Sequence, residues 1–291
     1  MQNEIAPGDK IAFLGVGSMG VHMANAIARV GYRVVGWSRR AKDFDVGIDF
    51  EFDTDLKAAV DGARAIIVCV RDQVAVTDVL FGSGLFEELS PGTAVIDMGT
   101  SGPKTAASHS KLLGERGVSY LDAPVSGGTG GAKNASLSIF VGGSDDDFKR
   151  VEGVLSAMGR PHLLGPVGSG QAAKLANQII VGITIAAVAE GLAFAERSGI
   201  DALRLLDALH GGFASSKVLE VHGPRMAGRD YTAAGAARLH LKDLALAADE
   251  GGLNGLPHAQ QVKAGFESLV SNNGAALDHS AYASLYQSER T

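Results

Sequence analysis

The chain of 291 residues has little of several residue types that would define a class of protein. Cys69 is the only cysteine, which excludes a disulfide framework within the chain. Basic residues form no long run and the formal net charge is -6, which argues against a general nucleic-acid binder. The eight histidines form no HExxH motif and no Cys/His cluster along the sequence. We therefore expect no metal site, and interpret the histidines as surface or packing residues.

Signals for export and for membrane insertion are also lacking. The first residues, MQNEIAPGDK, have neither a charged n-region nor an apolar h-region, so nothing there indicates secretion. The longest apolar stretch, Ile179 to Ala189, is too short to cross a bilayer. A composition of 46% hydrophobic and 20% charged residues is that of a globular protein with one large or two ordinary domains. A cytoplasmic protein without membrane contact is the expectation.

A glycine motif near the N-terminus predicts a dinucleotide site. The apolar strand pattern Lys10 to Leu14 is followed at once by a GxGxxG motif and then by a helical pattern. In this context the first glycine permits a tight turn, the second lets the backbone approach a pyrophosphate, and the third lets the helix pack close to the strand. An incidental turn is the weaker alternative. The predicted cofactor-binding residues here are Gly15, Val16, Gly17, Ser18, Met19 and Gly20.

The end of the next strand, Arg33 to Gly36, indicates which dinucleotide is bound. An NAD site usually offers an acidic residue here for the ribose hydroxyl, but the chain has Ser38, Arg39 and Arg40. A guanidinium can bind a 2′-phosphate bidentately, and the serine hydroxyl can donate a hydrogen bond to it. The alternative is a solvated basic turn. The pattern favours NADP, with NAD possible.

Strand patterns recur to about residue 165 and alternate with helical patterns, which is typical of a doubly wound, parallel Rossmann-type sheet. After Gly168 the chain is rich in Ala and Leu and predicts a second, all-helical domain. We expect a dinucleotide-binding domain at 1–168 and a helical substrate or oligomerisation domain at 169–291. The predicted strands are Lys10 to Leu14, Arg33 to Gly36, Ala65 to Val70, Ala94 to Met98, Ser119 to Asp122, Ser136 to Val141 and His162 to Leu164.

The helix after Gly168 carries an unexpected charge. Lys174 and Asn177 lie three residues apart, hence on one face, in an otherwise apolar segment. A buried ammonium is costly unless it is paired or used chemically, so Lys174 is a candidate proton donor. An ordinary lysine whose head reaches water is an equal alternative at this point.

Two loops that follow strands are candidates for binding a substrate. The turn Ser126-Gly127-Gly128 offers backbone N–H groups and a hydroxyl that could hold a carboxylate, although the tripeptide alone is only a turn. Thr100 and Ser101 could line the same cleft, because ligands of doubly wound sheets bind beyond the carboxyl ends of the strands. Either could equally cap the next helix.

Four motifs, in order, resemble the β-hydroxyacid dehydrogenase family: IAFLGVGSMG, LDAPVSGG, GSGQAAKLANQ and HLKDLALA. The likeness covers nearly the whole chain, and residues 211–223 and 277–281 resemble its tartronate semialdehyde reductase branch. The resemblance implies that Lys174 is the catalytic lysine, that Ser126, Gly127 and Gly128 bind the substrate carboxylate, and that Asn177 places the reacting oxygen. It also implies that Lys242 reaches toward the cofactor, with Val70, Arg71 and Thr100 on the nicotinamide side.

The expected activity is hydride transfer between NADP(H) and a small 3-hydroxy acid or its semialdehyde, with Lys174 as general acid or base. Departures from the family pattern at Val70-Arg71, Gly99-Thr100 and Ala135 leave the substrate open. An imine reductase would be expected to replace Lys174, and a non-catalytic NADP-binding sensor or scaffold would tend to lose it or the Ser-Gly-Gly turn. The alanine-rich second domain suggests a homodimer or homotetramer.

Overall fold

A computed structural model describes residues 4–41, 43–232 and 235–287. The chain divides into two compact units between Lys174 and Leu175. This division falls inside one continuous helix, α8, which spans Ser169–Arg197. In the first turn of that helix, Gln171 hydrogen-bonds to Asp122 and to Gly99 of the first unit. These bonds explain why the first unit extends to Lys174. The domain boundary at residue 168 stays a prediction.

Within the described residues, the first unit contains a sheet of nine strands in the order β3-β2-β1-β4-β5-β6-β8-β7, with β9 paired to β8. The pairs from β3 through β6 are parallel, which confirms the Rossmann-type sheet. β8 is antiparallel to both β6 and β7, so this parallel-dominated sheet has antiparallel pairs toward one edge. The strands are β1 Lys10–Leu14, β2 Arg33–Trp37, β3 Glu51–Asp53, β4 Ala65–Val68, β5 Ala94–Asp97, β6 Ser119–Asp122, β7 Val125–Ser126, β8 Leu137–Gly142 and β9 Gly159–Gly165.

Helices cover both faces of this sheet because successive strand residues point to opposite sides. In β1, Ile11 and Phe13 belong to one buried cluster, and Ala12 and Leu14 belong to another. Both clusters are apolar, so the central strands are hydrophobic throughout rather than alternating. The helices of the first unit are α1 Gly20–Arg29, α2 Leu56–Val60, α3 Gln73–Thr77, α4 Leu85–Glu88, α5 Pro103–Gly114, α6 Gly128–Lys133 and α7 Asp145–Ser156, with a π-helical segment at Asp78–Gly82.

The second unit is helical, as the sequence predicts. Its core contains Ile185, Leu244 and Phe266, all fully buried. The part of α8 beyond Lys174 is joined by α9 Ala202–Leu209, α10 Lys217–Gly228, α11 Ala237–Asp249 and α12 Pro257–Ser271, and by 3₁₀ segments at Gly274–Ala276 and His279–Leu285. The Ala- and Leu-rich segments of the sequence predict helices at 171–198, 201–210, 240–250 and 257–272, and none of these covers α10.

Helix α8 is the one helix among the described residues that is long and apolar enough to cross a membrane. The expectation that no apolar stretch has this length is therefore wrong for the helix as a whole, because alanines and glycines extend it beyond Ile179 to Ala189. Of its most apolar window, 44% is buried inside the protein. Length and composition alone do not distinguish a membrane span from the core helix of a water-soluble protein, which meets the same criterion.

Candidate active site

The GxGxxG motif forms a tight loop between β1 and α1. Gly15 has φ 108°, and a Cβ atom on it would lie 2.2 Å from the Cys69 carbonyl oxygen. A Cβ on Gly20 would lie 2.3 Å from the Gly15 carbonyl oxygen, so the close packing of helix on strand requires glycine at both positions. Gly17 is exposed, and a Cβ there would meet nothing within 4 Å. The loop therefore leaves open space at the residue whose backbone is expected to approach the pyrophosphate.

The remaining loop residues agree with a phosphate site at the start of α1. Val16 is buried beneath the loop, whereas Ser18 is exposed and Met19 half-buried. The N-cap residue Met19 makes no side-chain hydrogen bond to the first turn of the helix. Backbone N–H groups at such an uncapped N-terminus, together with the helix dipole, favour an anion. The residues present thus fit a dinucleotide.

Ser38, Arg39 and Arg40 follow β2 and differ in their contacts and in their exposure to solvent. The buried Ser38 donates its hydroxyl proton to the Arg40 carbonyl oxygen at 2.6 Å, so this proton shapes the turn and is not offered to a ligand. Arg39 and Arg40 are both exposed. Arg39 lies 3.5 Å from the Asp78 carboxylate in a pair that is more than half exposed on both sides. Such an exposed pair is weak, so a phosphate could compete with it.

The loops that follow β4 and β5 lie side by side beyond the carboxyl ends of these strands. A Cβ on Gly99 would lie 3.0 Å from the Val70 carbonyl oxygen, which shows how closely the two loops approach. Val70 and Thr100 are half-buried. Arg71 is exposed and pairs with Asp72 at 3.0 Å. The predicted nicotinamide-side residues therefore share one edge of the sheet with the glycine loop.

A buried carboxylate holds the loop after β5. Asp97 accepts hydrogen bonds from the Ser101 hydroxyl at 2.7 Å and from the Tyr120 hydroxyl at 3.1 Å. Its other oxygen accepts from the Gly99 backbone N–H at 2.9 Å. Burial raises the pKa of Asp97 to about 6, although these hydrogen bonds oppose the rise. Ser101 is thus committed to the framework rather than to a ligand.

The start of α8 is tied to the same edge by two residues that sequence reasoning missed. Asp122, at the end of β6, accepts hydrogen bonds from the backbone N–H groups of Gly168 and Gln171, both at 2.7 Å. The Gln171 side chain donates to the Gly99 carbonyl at 2.9 Å and accepts from the N–H groups of Ser101 and Gly102 at 3.0 and 3.1 Å. These contacts anchor the helix against the loop after β5.

Lys174 follows Gln171 by three residues and is only 9% exposed. The residue as a whole is therefore mostly withdrawn from solvent, and the role of its ammonium group stays a prediction. The turn Ser126-Gly127-Gly128 lies at the same unit's edge strand β7, where Ser126 pairs with Ser138. Gly127 and Gly128 are exposed, so their backbone is accessible to an anion.

Two of the predicted site residues, Asn177 and Lys242, lie in the second unit. They are linked there by hydrogen bonds and an ion pair. The Asn177 amide donates to the Gln178 side chain at 3.0 Å, and Gln178 donates to Asp243 at 2.7 Å. Lys242 pairs with the other oxygen of Asp243 at 3.0 Å. Gln178 and Asp243 were not predicted, because a side chain's partner 65 residues away leaves no local pattern.

The sequence matches two family descriptions. Residues 10–180 match "NAD binding domain of 6-phosphogluconate dehydrogenase", and residues 168–286 match "NAD-binding of NADP-dependent 3-hydroxyisobutyrate dehydrogenase". The chain is 38% identical to 2-hydroxy-3-oxopropionate reductase of Escherichia coli K12 over 94% of its own length and 95% of that protein. It resembles the structure of 3-hydroxyisobutyrate dehydrogenase of Mycobacterium tuberculosis with L-serine, at a TM-score of 0.83 and 26% identity, over 97% of this chain and all of that one.

An imine reductase of Pseudomonas sp. shares the fold at a TM-score of 0.61 and 19% identity, covering 96% of this chain and all of that one. That identity shows the fold alone. The first two relatives named above are a 2-hydroxy-3-oxopropionate reductase and a 3-hydroxyisobutyrate dehydrogenase, which supports a hydroxyacid dehydrogenase over an imine reductase and over a non-catalytic module. The chain belongs to the 3-hydroxyisobutyrate dehydrogenase family of NAD(P)-dependent β-hydroxyacid dehydrogenases.

Proposed function

We propose that the chain transfers a hydride between NADP(H) and a three- or four-carbon acid with a hydroxyl or aldehyde at carbon 3, of the 2-hydroxy-3-oxopropionate type. One observation carries the proposal. Lys174 is buried, and it lies three residues after Gln171, whose side chain is bonded to the loop 99–102. A general acid is thereby attached through a short, hydrogen-bonded path to the loop expected beside the nicotinamide.

The nicotinamide, when bound, supplies the hydride. In the reductive direction Lys174 donates a proton from Nζ to the carbonyl oxygen of the substrate as that oxygen gains charge. In the oxidative direction the neutral lysine takes the proton from the substrate hydroxyl. Ser126, Gly127 and Gly128 bind the carboxylate through one hydroxyl and backbone N–H groups. Asn177 orients the reacting oxygen, and the Lys242 side chain reaches toward the bound cofactor.

The size of the substrate follows from the anion-binding groups. The predicted substrate site offers one backbone turn for a carboxylate and one lysine, with no arginine clamp for a phosphorylated acid. The E. coli relative is named for 2-hydroxy-3-oxopropionate, and the M. tuberculosis structure carries L-serine. Both are three-carbon acids with oxygen at carbon 3, which supports the same class here.

A substrate panel tests the proposal. The purified chain is assayed with 2-hydroxy-3-oxopropionate, 3-hydroxyisobutyrate, L-serine and 6-phosphogluconate, each with NADP(H) and NAD(H). We expect the highest kcat/KM for one of the three small acids. A higher kcat/KM for 6-phosphogluconate than for every small acid would overturn the assignment of the substrate class.

The preference for NADP rests on Arg39 and Arg40, which are exposed at the end of β2. We expect Arg39→Leu to raise the KM for NADPH while hardly changing that for NADH, since only NADPH carries the 2′-phosphate. Arg33→Leu is the matched control, because Arg33 is also exposed and ion-paired but begins the same strand at its opposite end. Wild-type preference for NADH, or an equal loss with both cofactors, contradicts the role of Arg39.

We also propose a cytoplasmic homodimer or homotetramer. Large apolar side chains are exposed in the second unit, among them Ile180 at 65% and Phe194 at 67%. Both belong to α8, and a second copy of the chain would cover them. Light scattering coupled to size-exclusion chromatography tests the oligomeric state, and a monomer at micromolar concentration would exclude it.

A further inference from the structure

Helix α8 follows a glycine and takes its cap from a distant strand. The residue before the helix, Gly168, has φ 95° and no side chain that could accept a hydrogen bond from the first turn. An N-cap side chain usually accepts from the backbone N–H of the second or third helical residue. Here Gln171, the third residue of α8, donates its N–H to Asp122 at 2.7 Å, and the Gly168 N–H donates to the same carboxylate at 2.7 Å. Asp122, at the end of β6, therefore caps the helix that carries Lys174.

The surroundings of this carboxylate leave no room for a longer side chain. Asp122 is fully buried, and a Cβ atom on Gly142 of the neighbouring strand β8 would lie 2.5 Å from its Oδ1. A Cβ on Gly170 of α8 would lie 2.9 Å from its Oδ2. The two glycines let β8 and the start of α8 close directly on the carboxylate oxygens. The length of the aspartate side chain thus fixes how far the helix start lies from the end of β6.

The turn Ser126-Gly127-Gly128 is fixed to the same strand β8. It follows Asp122 by four residues, and β7, the strand that leads into it, pairs with β8. The Phe140 N–H in β8 donates to the Pro124 carbonyl oxygen at 2.9 Å. On the other side, the Phe140 carbonyl oxygen lies where a Cβ on Gly170 would clash with it. β8 and Asp122 therefore hold both the turn and the start of α8 within the first compact unit.

We propose that Asp122 is a positioning residue that sets the separation between the turn 126–128 and Lys174, and thereby the number of carbons in the preferred substrate. This inference rests on the proposed roles of the turn as the carboxylate site and of Lys174 as the proton donor. Lys174 follows Gly168 by six residues, about 9 Å along α8, and belongs to the same compact unit as the turn. A displacement of the start of α8 therefore displaces Lys174 as well.

A fixed separation selects substrates by their length. The acid must place its carboxylate at the turn and its reacting oxygen at the lysine ammonium. A carbon–carbon bond is about 1.5 Å long, so one further methylene moves that oxygen by more than about 1 Å. A displacement of about 1 Å can cost about 10²-fold in turnover. We therefore expect the wild type to favour 3-hydroxypropionate over 4-hydroxybutyrate, which is longer by one methylene.

Asp122→Glu tests the inference, because it keeps the carboxylate but adds a methylene for which there is no room. It should push the start of α8 away from β6 and raise the ratio of kcat/KM for 4-hydroxybutyrate to kcat/KM for 3-hydroxypropionate about tenfold or more. Asp201→Glu is the matched control, because the exposed Asp201 also caps a helix, α9, by accepting from the Arg204 N–H at 2.9 Å. A wild-type ratio in folded Asp122→Glu, or the same rise in Asp201→Glu, overturns the inference.

A double-mutant cycle decides the question even where the glutamate variant does not fold. Asp122→Asn keeps the length of the side chain but sets an NH₂ group against one of the two N–H donors. We expect its kcat for 3-hydroxypropionate to fall roughly tenfold or more under conditions in which circular dichroism shows a folded protein. In a Lys174→Ala background the same substitution should leave kcat nearly unchanged, since the lysine that it displaces is gone. A wild-type kcat in Asp122→Asn, or an equal fall in both backgrounds, overturns the positioning role.

Failure of the proposed function gives a different result. If Lys174→Ala alone keeps near-normal turnover, Lys174 is not the proton donor, and the positioning role of Asp122 falls with it. A wild-type preference for 4-hydroxybutyrate refutes the substrate class and this inference together. If Lys174→Ala loses turnover while both Asp122 variants behave as the wild type does, the general acid stands and only the role of Asp122 is refuted.

Discussion

Replacing Gln171 by leucine tests whether the anchoring of α8 supports catalysis. The side chain is fully buried and makes three hydrogen bonds, all to the backbone of residues 99–102. Leucine has a similar volume but no polar atom. The substitution therefore removes the partners of the Gly99 carbonyl and of the Ser101 and Gly102 N–H groups without leaving a large cavity.

The magnitude follows from the burial of these three groups. Ser101 and Gly102 are buried, and each buried donor left without a partner costs about 1–3 kcal/mol. Gly99 is half-buried, so water can reach its carbonyl and limit the cost. Burying an apolar leucine costs less free energy than burying a polar amide, and this difference offsets part of the loss in stability. We expect the free energy of unfolding to fall by about 2–4 kcal/mol.

We expect Gln171→Leu to lower kcat even under conditions in which the variant is fully folded. The helix start that carries Lys174 would no longer be held against the loop of Thr100, and a displacement of about 1 Å can cost about 10²-fold in turnover. Urea unfolding and steady-state kinetics at a temperature where the variant is folded measure the two effects. We expect kcat to fall far more than the KM for NADPH rises.

Two further variants sharpen this test. Gln171→Glu should lie between wild type and leucine, because a carboxylate still accepts from Ser101 and Gly102 but can donate to Gly99 only when protonated. Gln73→Leu, in the exposed first turn of α3, is the matched control and should leave both measurements unchanged. Wild-type stability and kcat in Gln171→Leu would refute the reasoning.

Lys174→Ala should keep the fold and the affinity for NADPH but lower turnover by roughly 10²–10⁴, the usual share of a positioned general acid. Near-normal turnover would reject Lys174 as the proton donor and direct attention to Lys242. Asp97→Asn should change the pH dependence of stability. The pKa of Asp97 is raised from 3.8 to about 6, so the native state keeps a proton that the unfolded state loses, and this stabilisation is complete below about pH 4 and lost as the pH rises to about 6. Its loss lowers the wild-type free energy of unfolding by up to about 3 kcal/mol, and the asparagine variant should lack this fall; identical pH profiles from urea unfolding would contradict it.

Several elements could be predicted from sequence because their signals are local. β1 and β6 begin and end where the apolar runs predict, and the glycine loop also lies where its pattern places it. The strand β3, Glu51–Asp53, was missed because it is short and acidic and completes an edge. α10 was missed because it contains Gly223 and Pro224, which normally argue against a helix.

The contact between His222 and His279 and the anchoring of α8 could not be predicted in this way. Gln171 bonds to residues about 70 positions earlier, and His222 meets a partner 57 positions later. Such partners have no fixed spacing, so neither periodicity nor a motif can find them. The direction of β8 relative to β6 likewise depends on how the connection through β7 and α6 folds back.

The sequence by itself determined the Rossmann-type sheet and the helical second half, because hydrophobic period and glycine spacing act within one or two elements. Only the tertiary structure decided which of the candidate polar side chains are used to hold the framework together. Ser38 and Ser101 look available in sequence, yet each gives its hydroxyl proton to a neighbouring acceptor. A hydroxyl has one proton to donate, and where it goes depends on the fold that brings the acceptor within reach.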